Sequence, residues 1–263
     1  MQPLSTADID VFDAVDFVLT DLDDTVTLDG ALPAASYAAL EALRDAGKTV
    51  VIVTGRPAGW CDLIARFFPV AAVVGENGAF YFRYERSTRT MRRVFQRTDA
   101  ERAIDRSRLN DIFARVVSRY PNVQLSADQA FRVSDVAVDF CEDVPRLSEQ
   151  IIQSIVTIFE EGGATAKVSS IHVNAWIGEF SKLEMSLRLL RDEFGVDGDS
   201  ALARVLYAGD SPNDEPMFAH FPLTVGVANI LPFAKTMMCT PRFLTARPGG
   251  LGFAEIASRV LKV

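Results

Sequence analysis

The sequence predicts an α/β protein in which a Rossmann-like parallel sheet is interrupted by an inserted α+β domain. Five short apolar runs rich in branched side chains are typical of buried parallel strands, and they begin at Phe17, Thr49, Val70, Arg204 and Leu223. Two intervening stretches, 32–47 and 182–194, have the apolar spacing of amphipathic helices. Strands and helices that alternate in this way indicate βαβ units.

The middle of the chain has a different pattern. It predicts a hairpin with its tip at 85–90, followed by amphipathic helices at 99–119 and 144–161. The short strands predicted there are 123–126, 136–140, 166–169 and 171–176. Because this order differs from a βαβ rhythm, we predict that residues 82–178 form the inserted domain.

The two flanking segments, 1–81 and 179–263, then form one core domain. The second of them contains the strand that begins at Arg204 and ends in Gly209-Asp210-Ser211-Pro212-Asn213-Asp214. Near its end, 248–252 is rich in glycine and predicts a loop, and 253–261 predicts a final helix.

Composition and charge exclude several classes of partner. The chain has 263 residues, 49% of them apolar, and a formal charge of −8, which disfavours binding to nucleic acid or to an anionic membrane surface. The start of the sequence lacks the features of a signal peptide, and no apolar run could span a bilayer, so we expect a cytoplasmic protein. Cys61, Cys141 and Cys239 are far apart and predict reduced thiols. The oligomeric state stays open.

Three carboxylates follow the first strand. Asp21, Asp23 and Asp24 lie within four positions, where the strand gives way to a loop. Ligand sites of open α/β sheets lie at such carboxyl ends. The concentrated negative charge calls for a hard cation such as Mg²⁺. Asp21 and Asp23 are two residues apart, so both can face one ligand. The alternative is an acidic turn in which Asp23 or Asp24 caps the next helix.

Two other strand ends carry polar residues. Thr54-Gly55-Arg56 follows the second strand, where a hydroxyl and free backbone N–H groups at a helix start are suited to hold phosphate oxygens. The alternative for Thr54 is a simple helix cap. The fourth strand ends in the acidic stretch 209–214. Because parallel strands end at one edge of a sheet, this combination indicates phosphoryl transfer.

In order and spacing these motifs resemble the haloacid dehalogenase (HAD) superfamily. Asp21-Leu22-Asp23-Asp24-Thr25 is similar to its first motif, Thr54-Gly55-Arg56 to its second, Lys182 to its third, and the stretch 209–214 to its fourth. Glu76-Asn77-Gly78-Ala79 followed by a long insertion resembles the Cof-like and sugar-phosphatase branch, which has a large α/β cap between the second and third motifs.

The resemblance implies a role for each motif residue. Asp21 would attack the phosphoryl group and form an aspartyl-phosphate, and Asp23 would act as general acid and base. Mg²⁺ would be held by Asp21, the backbone carbonyl of Asp23, and Asp210. The remaining roles are a phosphate contact from Thr54, charge screening by Lys182, and orientation of that lysine or of metal-bound water by Asn213 and Asp214.

The sequence departs from the family pattern at two places. Asp24 stands where many relatives have glycine, and Lys182 is followed by Leu183-Glu184 where the Cof-like pattern has glycine after the lysine. Lys167 is the other lysine nearby, but it falls inside a predicted strand of the insertion and is a poorer candidate for the third motif. Lys182 as a surface lysine and Asp214 as a helix-start carboxylate are the alternatives.

Substrate choice is expected in the cap, with Gly55 and Arg56 as further contacts. Ser170, His172 and Asn174 alternate as one face of a strand does, and His172 and Asn174 could reach sugar hydroxyls. A histidine in a structural role is the alternative. Arg132 could pair with a second anionic group, although a solvated arginine is expected.

The sequence therefore predicts a Mg²⁺-dependent phosphomonoester hydrolase that acts on a small phosphorylated metabolite, a sugar or polyol phosphate. A phosphomutase of the phosphomannomutase type also uses an aspartyl-phosphate and is the nearest alternative. A phospho-accepting domain without turnover is a further one.

Overall fold

The computed structural model describes residues 1–169 and 171–263, and at residues 200 and 201 the backbone alone. Its α-helices are α1 Ala34–Asp45, α2 Ala58–Phe67, α3 Asp99–Arg119, α4 Glu149–Glu161, α5 Lys182–Phe194, α6 Asp199–Leu202, α7 Glu215–His220 and α8 Gly249–Leu261. Its strands are β1 Gln2–Pro3, β2 Phe17–Thr20, β3 Thr49–Val53, β4 Ala72–Gly75, β5 Phe80–Glu85, β6 Thr90–Phe95, β7 Gln124–Leu125, β8 Val136–Asp139, β9 Thr165–Val168, β10 His172–Trp176, β11 Val205–Gly209, β12 Leu223–Gly226 and β13 Phe243–Leu244.

A nine-stranded sheet forms the centre of the molecule. Its strand order is β1-β13-β12-β11-β2-β3-β4-β5-β6. The first seven strands in this order, from β1 across to β4, are all parallel to one another. The last two, β5 and β6, are antiparallel and form one edge of the sheet. The predicted α/β fold class, a mostly parallel sheet with a smaller α+β part, is confirmed.

Helices cover both faces of this sheet. Val18 and Ile52 point to one face, where they join an apolar cluster with Leu40 of α1. Leu19 points to the other face and packs in a cluster with Met185 of α5. Because both faces are buried, the strands need apolar residues at consecutive positions, which is why they appear as unbroken apolar runs in the sequence.

The inserted part contains a four-stranded antiparallel sheet in the order β7-β8-β10-β9. Its apolar face packs on α3 and α4, with Leu109, Ile155 and Val173 in one cluster. The opposite face carries polar residues and lies over the carboxyl ends of the large sheet. This small sheet therefore provides the roof above the predicted site.

The hairpin β5–β6 belongs to the large sheet rather than to the roof. Phe82, which we predicted to begin the inserted domain, lies in the middle of β5 and pairs with Val73 of β4. Its aromatic side chain packs with those of Phe80 and Phe95 inside the core. The two-domain division remains a proposal, and with this pairing we place the start of the cap after β6.

The stretch predicted as a loop at 248–252 begins helix α8 instead. A Cβ on Gly250 would lie 2.4 Å from the Val26 carbonyl oxygen, and one on Gly252 would lie 2.3 Å from that of Arg247. These glycines let the helix start approach neighbouring backbone closely, so here glycine marks packing rather than a turn. Helix α4 also begins later than predicted, at Glu149, after its Ser148 cap.

No helix in the ranges 1–169 and 171–263 is both long enough and apolar enough to cross a membrane. Ser170, which was expected to share a strand face with His172 and Asn174, lies outside the described residues.

Candidate active site

Asp21 lies at the centre of the site because β2 is flanked by β3 and β11. Its backbone N–H donates to the Ala208 carbonyl, which fixes the end of β2 beside the end of β11. The Asp21 carboxylate is buried and accepts a hydrogen bond from Lys182 Nζ at 2.6 Å. Lys182 is the first residue of α5 and is only 5% exposed, so it is not a surface lysine.

Asp214 connects three parts of this site. Its Oδ1 accepts from Lys182 Nζ at 3.1 Å and from the Tyr207 hydroxyl at 2.6 Å. Its Oδ2 accepts from the backbone N–H groups of Asp210 and Ser211. Gly209 makes this possible, because a Cβ there would lie 2.4 Å from Asp214 Oδ2. Asp214 thus fixes both the lysine and the loop that carries Asp210.

Asp21, Asp210 and Asp214 form a buried carboxylate cluster. One oxygen of each lies within 4.8 Å of the others, a spacing that could hold a metal ion. Burial, with Asp214 and Asp23 nearby, raises the pKa of Asp21 to about 7 despite Lys182. Burial and the Asp21 charge raise the pKa of Asp210 well above its usual range. A divalent cation would neutralise this excess charge, so the residues fit one.

Asp210 is oriented by Thr25, the last residue of the first motif, and by Asn229, which the sequence did not single out. Its Oδ1 accepts from the Thr25 hydroxyl at 3.2 Å, and its Oδ2 accepts from Asn229 Nδ2, also at 3.2 Å. The same Asn229 amide donates to the Asp24 carbonyl at 2.8 Å. This amide therefore ties the loop after β2 to Asp210.

Asp24 adopts a backbone conformation that explains the glycine of many relatives. Its φ is +56°, in the left-handed region that glycine enters most easily and aspartate more readily than most residues. The Thr27 hydroxyl accepts from the Asp24 N–H, and Asp24 Oδ1 accepts from the Asp29 N–H. These hydrogen bonds stabilise the turn with an aspartate at this position.

Asp23 is held by Arg56 from the loop after β3. The Arg56 Nε lies 2.9 and 3.1 Å from the two carboxylate oxygens of Asp23. The Arg56 NH2 group also lies 2.8 Å from Glu142 Oε1, on the loop after β8 in the roof. Arg56 therefore links the candidate general acid to the cap.

Thr54 and Gly55 lie below this arginine. Thr54 is fully buried at the end of β3, and its hydroxyl accepts from the Arg56 N–H at 3.0 Å. The Gly55 carbonyl accepts from Arg132 NH1 at 2.9 Å. Arg132 is also paired with Asp128 and Asp135, and its side chain is 0% exposed. The expectation of a solvated Arg132 is wrong, because this buried guanidinium joins the cap to the loop after β3.

His172 and Asn174 face the site from β10. The His172 Nε2 atom lies 2.8 Å from Glu142 Oε2, outside hydrogen-bond geometry, and the Asn174 amide donates to Asp135 at 3.1 Å. His172 and Arg56 lower the pKa of Glu142 to about 2. His172 and Asn174 thus each contact a carboxylate of the cap, and both also line the central chamber.

The chamber between roof and sheet is small. It measures about 20 Å³, and its walls include Asp21, Asp23, Arg56, His172 and Asp210. Such a space holds about one water molecule. Two larger cavities adjoin it, of about 310 Å³ and 330 Å³. A groove of about 490 Å³ lies far away, between the start of the chain and α8, and contains none of these residues.

The eleven residues predicted for the site share this region. Eight of them line the chamber: Asp21, Asp23, Gly55, Arg56, His172, Asn174, Asp210 and Asn213. Lys182 is held against the chamber wall by its hydrogen bond to Asp21. Thr54 and Asp214 lie behind them and accept hydrogen bonds from Arg56 N–H and Lys182. The sequence did not reveal Tyr207, Asn229 or Glu142, because each reaches the site only through tertiary packing.

Fold and site together define an α/β enzyme with a carboxylate centre at the strand ends of a parallel sheet. The haloacid dehalogenase-like hydrolase family matches residues 18–158, more than half of the chain. The chain belongs to this family, as the sequence motifs predicted. No curated protein matches it.

Three solved structures illustrate the shared fold. A Thermoplasma acidophilum protein aligns with a TM-score of 0.69 at 18% identity, over 95% of this chain and 99% of that one. A haloacid dehalogenase-like hydrolase from Bacteroides thetaiotaomicron aligns with a TM-score of 0.64 at 15% identity, over 94% and 99%. The sucrose-phosphatase of Synechocystis sp. PCC6803 aligns with a TM-score of 0.64 at 15% identity, over 93% and 97%.

Proposed function

We propose that this hydrolase is a Mg²⁺-dependent phosphatase that cleaves small phosphomonoesters through an aspartyl-phosphate on Asp21. The observation that carries the proposal is the contact of the buried Asp21 carboxylate with Lys182 at 2.6 Å, beside Asp210. Lys182 opposes the rise that burial causes in the pKa of Asp21, which stands at about 7, and a bound divalent cation would lower that pKa further. An ionised carboxylate can attack phosphorus, and the covalent route divides one displacement into two steps.

Asp23 is the proposed general acid and base. Its carboxylate lines the same chamber as that of Asp21, and Arg56 fixes its orientation through two oxygens. In the first step it would give a proton to the leaving oxygen, and in the second it would take one from the attacking water. Thr54 and the backbone around Gly55 are proposed to hold a phosphoryl oxygen.

Asp21, Asp210 and the Asp23 backbone carbonyl are the proposed metal ligands. Bound Mg²⁺ would neutralise charge on the phosphoryl oxygens. Asp214 is a weaker candidate for direct ligation, because Lys182, Tyr207 and two backbone N–H groups already donate to it. It is better suited to orient Lys182 and the loop of Asp210.

The proposed substrate class rests on the small size of the chamber under the cap and on one structurally similar protein. The roof closes the chamber to about 20 Å³, so a substrate must enter with movement of the roof or of side chains such as Arg56. The Synechocystis relative is named a sucrose-phosphatase and was solved with sucrose and phosphate. A small sugar or polyol phosphate is the corresponding proposal here, and a cytoplasmic location remains a prediction.

Phosphate release from a panel of compounds tests this proposal. The panel contains sugar phosphates, polyol phosphates, nucleotides and an aryl phosphate, each with Mg²⁺ or with EDTA. We expect metal-dependent release that is lost in Asp21→Asn. Release that survives in Asp21→Asn would refute the covalent route. If activity instead requires a sugar bisphosphate and returns the phosphoryl group to the sugar, the enzyme is a phosphomutase.

A further inference from the structure

We propose that the cavity beside the chamber binds the leaving group of the substrate and selects one that carries a carboxylate, with Lys167 as the recognition residue. This inference rests on the proposed phosphatase function. The cavity, here called the Lys167 cavity, measures about 310 Å³ and is bounded by Asn77, Lys167, Trp176, Ser181, Asn213 and Glu215. Its wall also includes Lys182, which donates to Asp21, and Asn213 lines both spaces, so the cavity adjoins the catalytic centre.

Strand register places Lys167 on the roof above the site. Lys167 of β9 pairs with Asn174 of β10, and cross-strand partners present their side chains on the same face of a sheet. Asn174 lines the central chamber. The strand neighbours of Lys167, Ala166 and Val168, point to the opposite face and pack in the apolar cluster of the cap. Lys167 is therefore one strand spacing away from the chamber wall.

Among the described residues, Lys167 differs from the other cations of the site in having no anionic partner. Lys182 is bound to two aspartates, and Arg56 and Arg132 are each paired with at least two carboxylates. The structure, apart from residue 170 and the side chains at 200 and 201, contains no ion pair or hydrogen bond to the exposed Lys167 ammonium group. An anion in the cavity would be its partner.

Two buried donors in the cavity wall also lack acceptors. Asn77 and Trp176 are 5% and 3% exposed, and within the described part of the chain the Asn77 Nδ2 and Trp176 Nε1 groups have no hydrogen-bond partner. A buried N–H without an acceptor costs roughly 1–3 kcal/mol. Asn77 also packs against Gly55, at the edge of the chamber. Both N–H groups are closed off from solvent, so the oxygen atoms of a ligand would reach them only after the surrounding side chains move.

The charges around the site point to a single negative charge on the leaving group. The other adjoining cavity is bounded by Asp23, Asp24, Asp29 and Glu142, and its one arginine, Arg56, is already paired, so an anion is disfavoured there. Within the described part of the chain, the Lys167 cavity offers one cation without an anionic partner, together with neutral donors. Glu215 at its edge accepts from the Met238 N–H and opposes a second negative charge. One carboxylate fits this set better than a second phosphate.

Matched substrates test the inference through catalysis. Glycerol 3-phosphate and 3-phosphoglycerate share a three-carbon skeleton. They differ at the carbon farthest from the phosphate, which is an alcohol in the first compound and a carboxylate in the second. We expect a KM about tenfold lower for 3-phosphoglycerate, and Lys167→Gln should remove this preference by raising that KM alone. Lys167→Arg should retain it. Equal KM values for the pair, or a preference that survives in Lys167→Gln, would overturn the inference.

Binding without turnover separates this inference from the phosphatase proposal. The chain has two tryptophans, so Trp60→Phe leaves Trp176 as the fluorescent reporter in the cavity wall. In an Asp21→Asn, Trp60→Phe background, 3-phosphoglycerate should change the Trp176 emission at about tenfold lower concentration than glycerol 3-phosphate does, and Lys167→Gln should equalise the two. If 3-phosphoglycerate binds more tightly but the wild type releases no phosphate, only the proposed phosphatase function is refuted. Phosphate release with equal binding of the pair would refute only the role of Lys167.

Discussion

Arg56 and Glu142 join the core to the cap, with the Arg56 NH2 group 2.8 Å from Glu142 Oε1. The same guanidinium holds both oxygens of Asp23, so one side chain contacts the candidate general acid and the roof. Its side chain is 7% exposed, and burial strengthens an ion pair relative to one in water. Arg56 therefore couples the position of the cap to the orientation of Asp23.

Removing the Glu142 charge should weaken this coupling in a pH-dependent manner. His172 and Arg56 lower the pKa of Glu142 to about 2 in the folded protein, against an ordinary value of 4.5. A lowered carboxyl pKa contributes stability above about pH 4.5, and the contribution is lost as the pH falls towards 2. The free energy of unfolding of the wild type, measured in urea, should exceed that of Glu142→Gln most at neutral pH and least near pH 2. Asp143→Asn changes the exposed residue that follows Glu142 and serves as the control. Its free energy of unfolding should differ from that of the wild type by the same amount at every pH.

Glu76 should produce the opposite pH trend. Its carboxylate accepts from the backbone N–H groups of Ala58, Val133, Ser134 and Asp135, which ties the start of α2 to the cap. Burial and Asp135 nevertheless raise its pKa to about 7. A raised carboxyl pKa contributes stability below about pH 4.5, and this contribution is lost as the pH rises through 7.

The unfolding free energy of Glu76→Gln relative to the wild type should therefore rise between pH 4.5 and 7, by at most about 1.4 kcal/mol per pH unit. Urea denaturation at a series of pH values measures this difference, with the exposed Glu160→Gln as the control. A difference that stays constant with pH would mean that the four N–H groups keep the folded pKa near its ordinary value.

Tyr207 should support catalysis although it lies behind the site. Its hydroxyl is fully buried and donates to Asp214 at 2.6 Å, and Asp214 in turn accepts from Lys182. In Tyr207→Phe, Asp214 loses this donor, which should lower the free energy of unfolding by about 1–3 kcal/mol. Lys182 would be held less firmly, so kcat should fall more than KM changes. Tyr37→Phe, which removes a hydrogen bond to the Phe67 carbonyl at the surface, should leave kcat unchanged.

Binding of Mg²⁺ should be detectable without any substrate. A ligand that binds the folded state alone adds about 2.7 kcal/mol of stability at a hundredfold excess over its Kd, which raises Tm by roughly 5–10 °C in a protein of this size. We expect such a rise in the wild type and its loss in Asp210→Asn. Asp111→Asn, an exposed residue of α3, should retain it. An equal rise in all three proteins would place the metal elsewhere.

The arrangement of the site could be predicted from the sequence wherever a functional residue ends a strand. Asp21, Thr54 and Asp210 follow β2, β3 and β11, and adjacent parallel strands bring their carboxyl ends together regardless of the loops between them. The family motifs then added Lys182, which no periodicity would have selected. The positions of the strand ends and the family motifs were together sufficient to predict that these four residues lie close together.

The residues that complete the site could not be predicted because their contacts are set by packing. Tyr207 is an apparently ordinary core residue of β11, and Glu142 lies on a cap loop 86 residues from its partner Arg56. Arg132 was expected to be solvated, whereas the fold buries it against Asp128, Asp135 and the Gly55 carbonyl. The glycines at the start of α8 were mistaken for a loop, since their close backbone contacts involve the distant Val26 and Thr27.

The central claim is that the phosphoryl group passes through Asp21, and mass spectrometry of the acid-quenched enzyme tests it most directly. Wild-type protein is mixed with Mg²⁺ and an intact phosphomonoester that it is known to hydrolyse, and the reaction is quenched within one turnover. The peptide that contains Asp21 should then carry one phosphoryl group. The peptide should stay unmodified in Asp21→Asn, which should also release no phosphate. Phosphate release with no phosphorylated Asp21 at any quench time, or with the phosphoryl group on another residue, would contradict the mechanism.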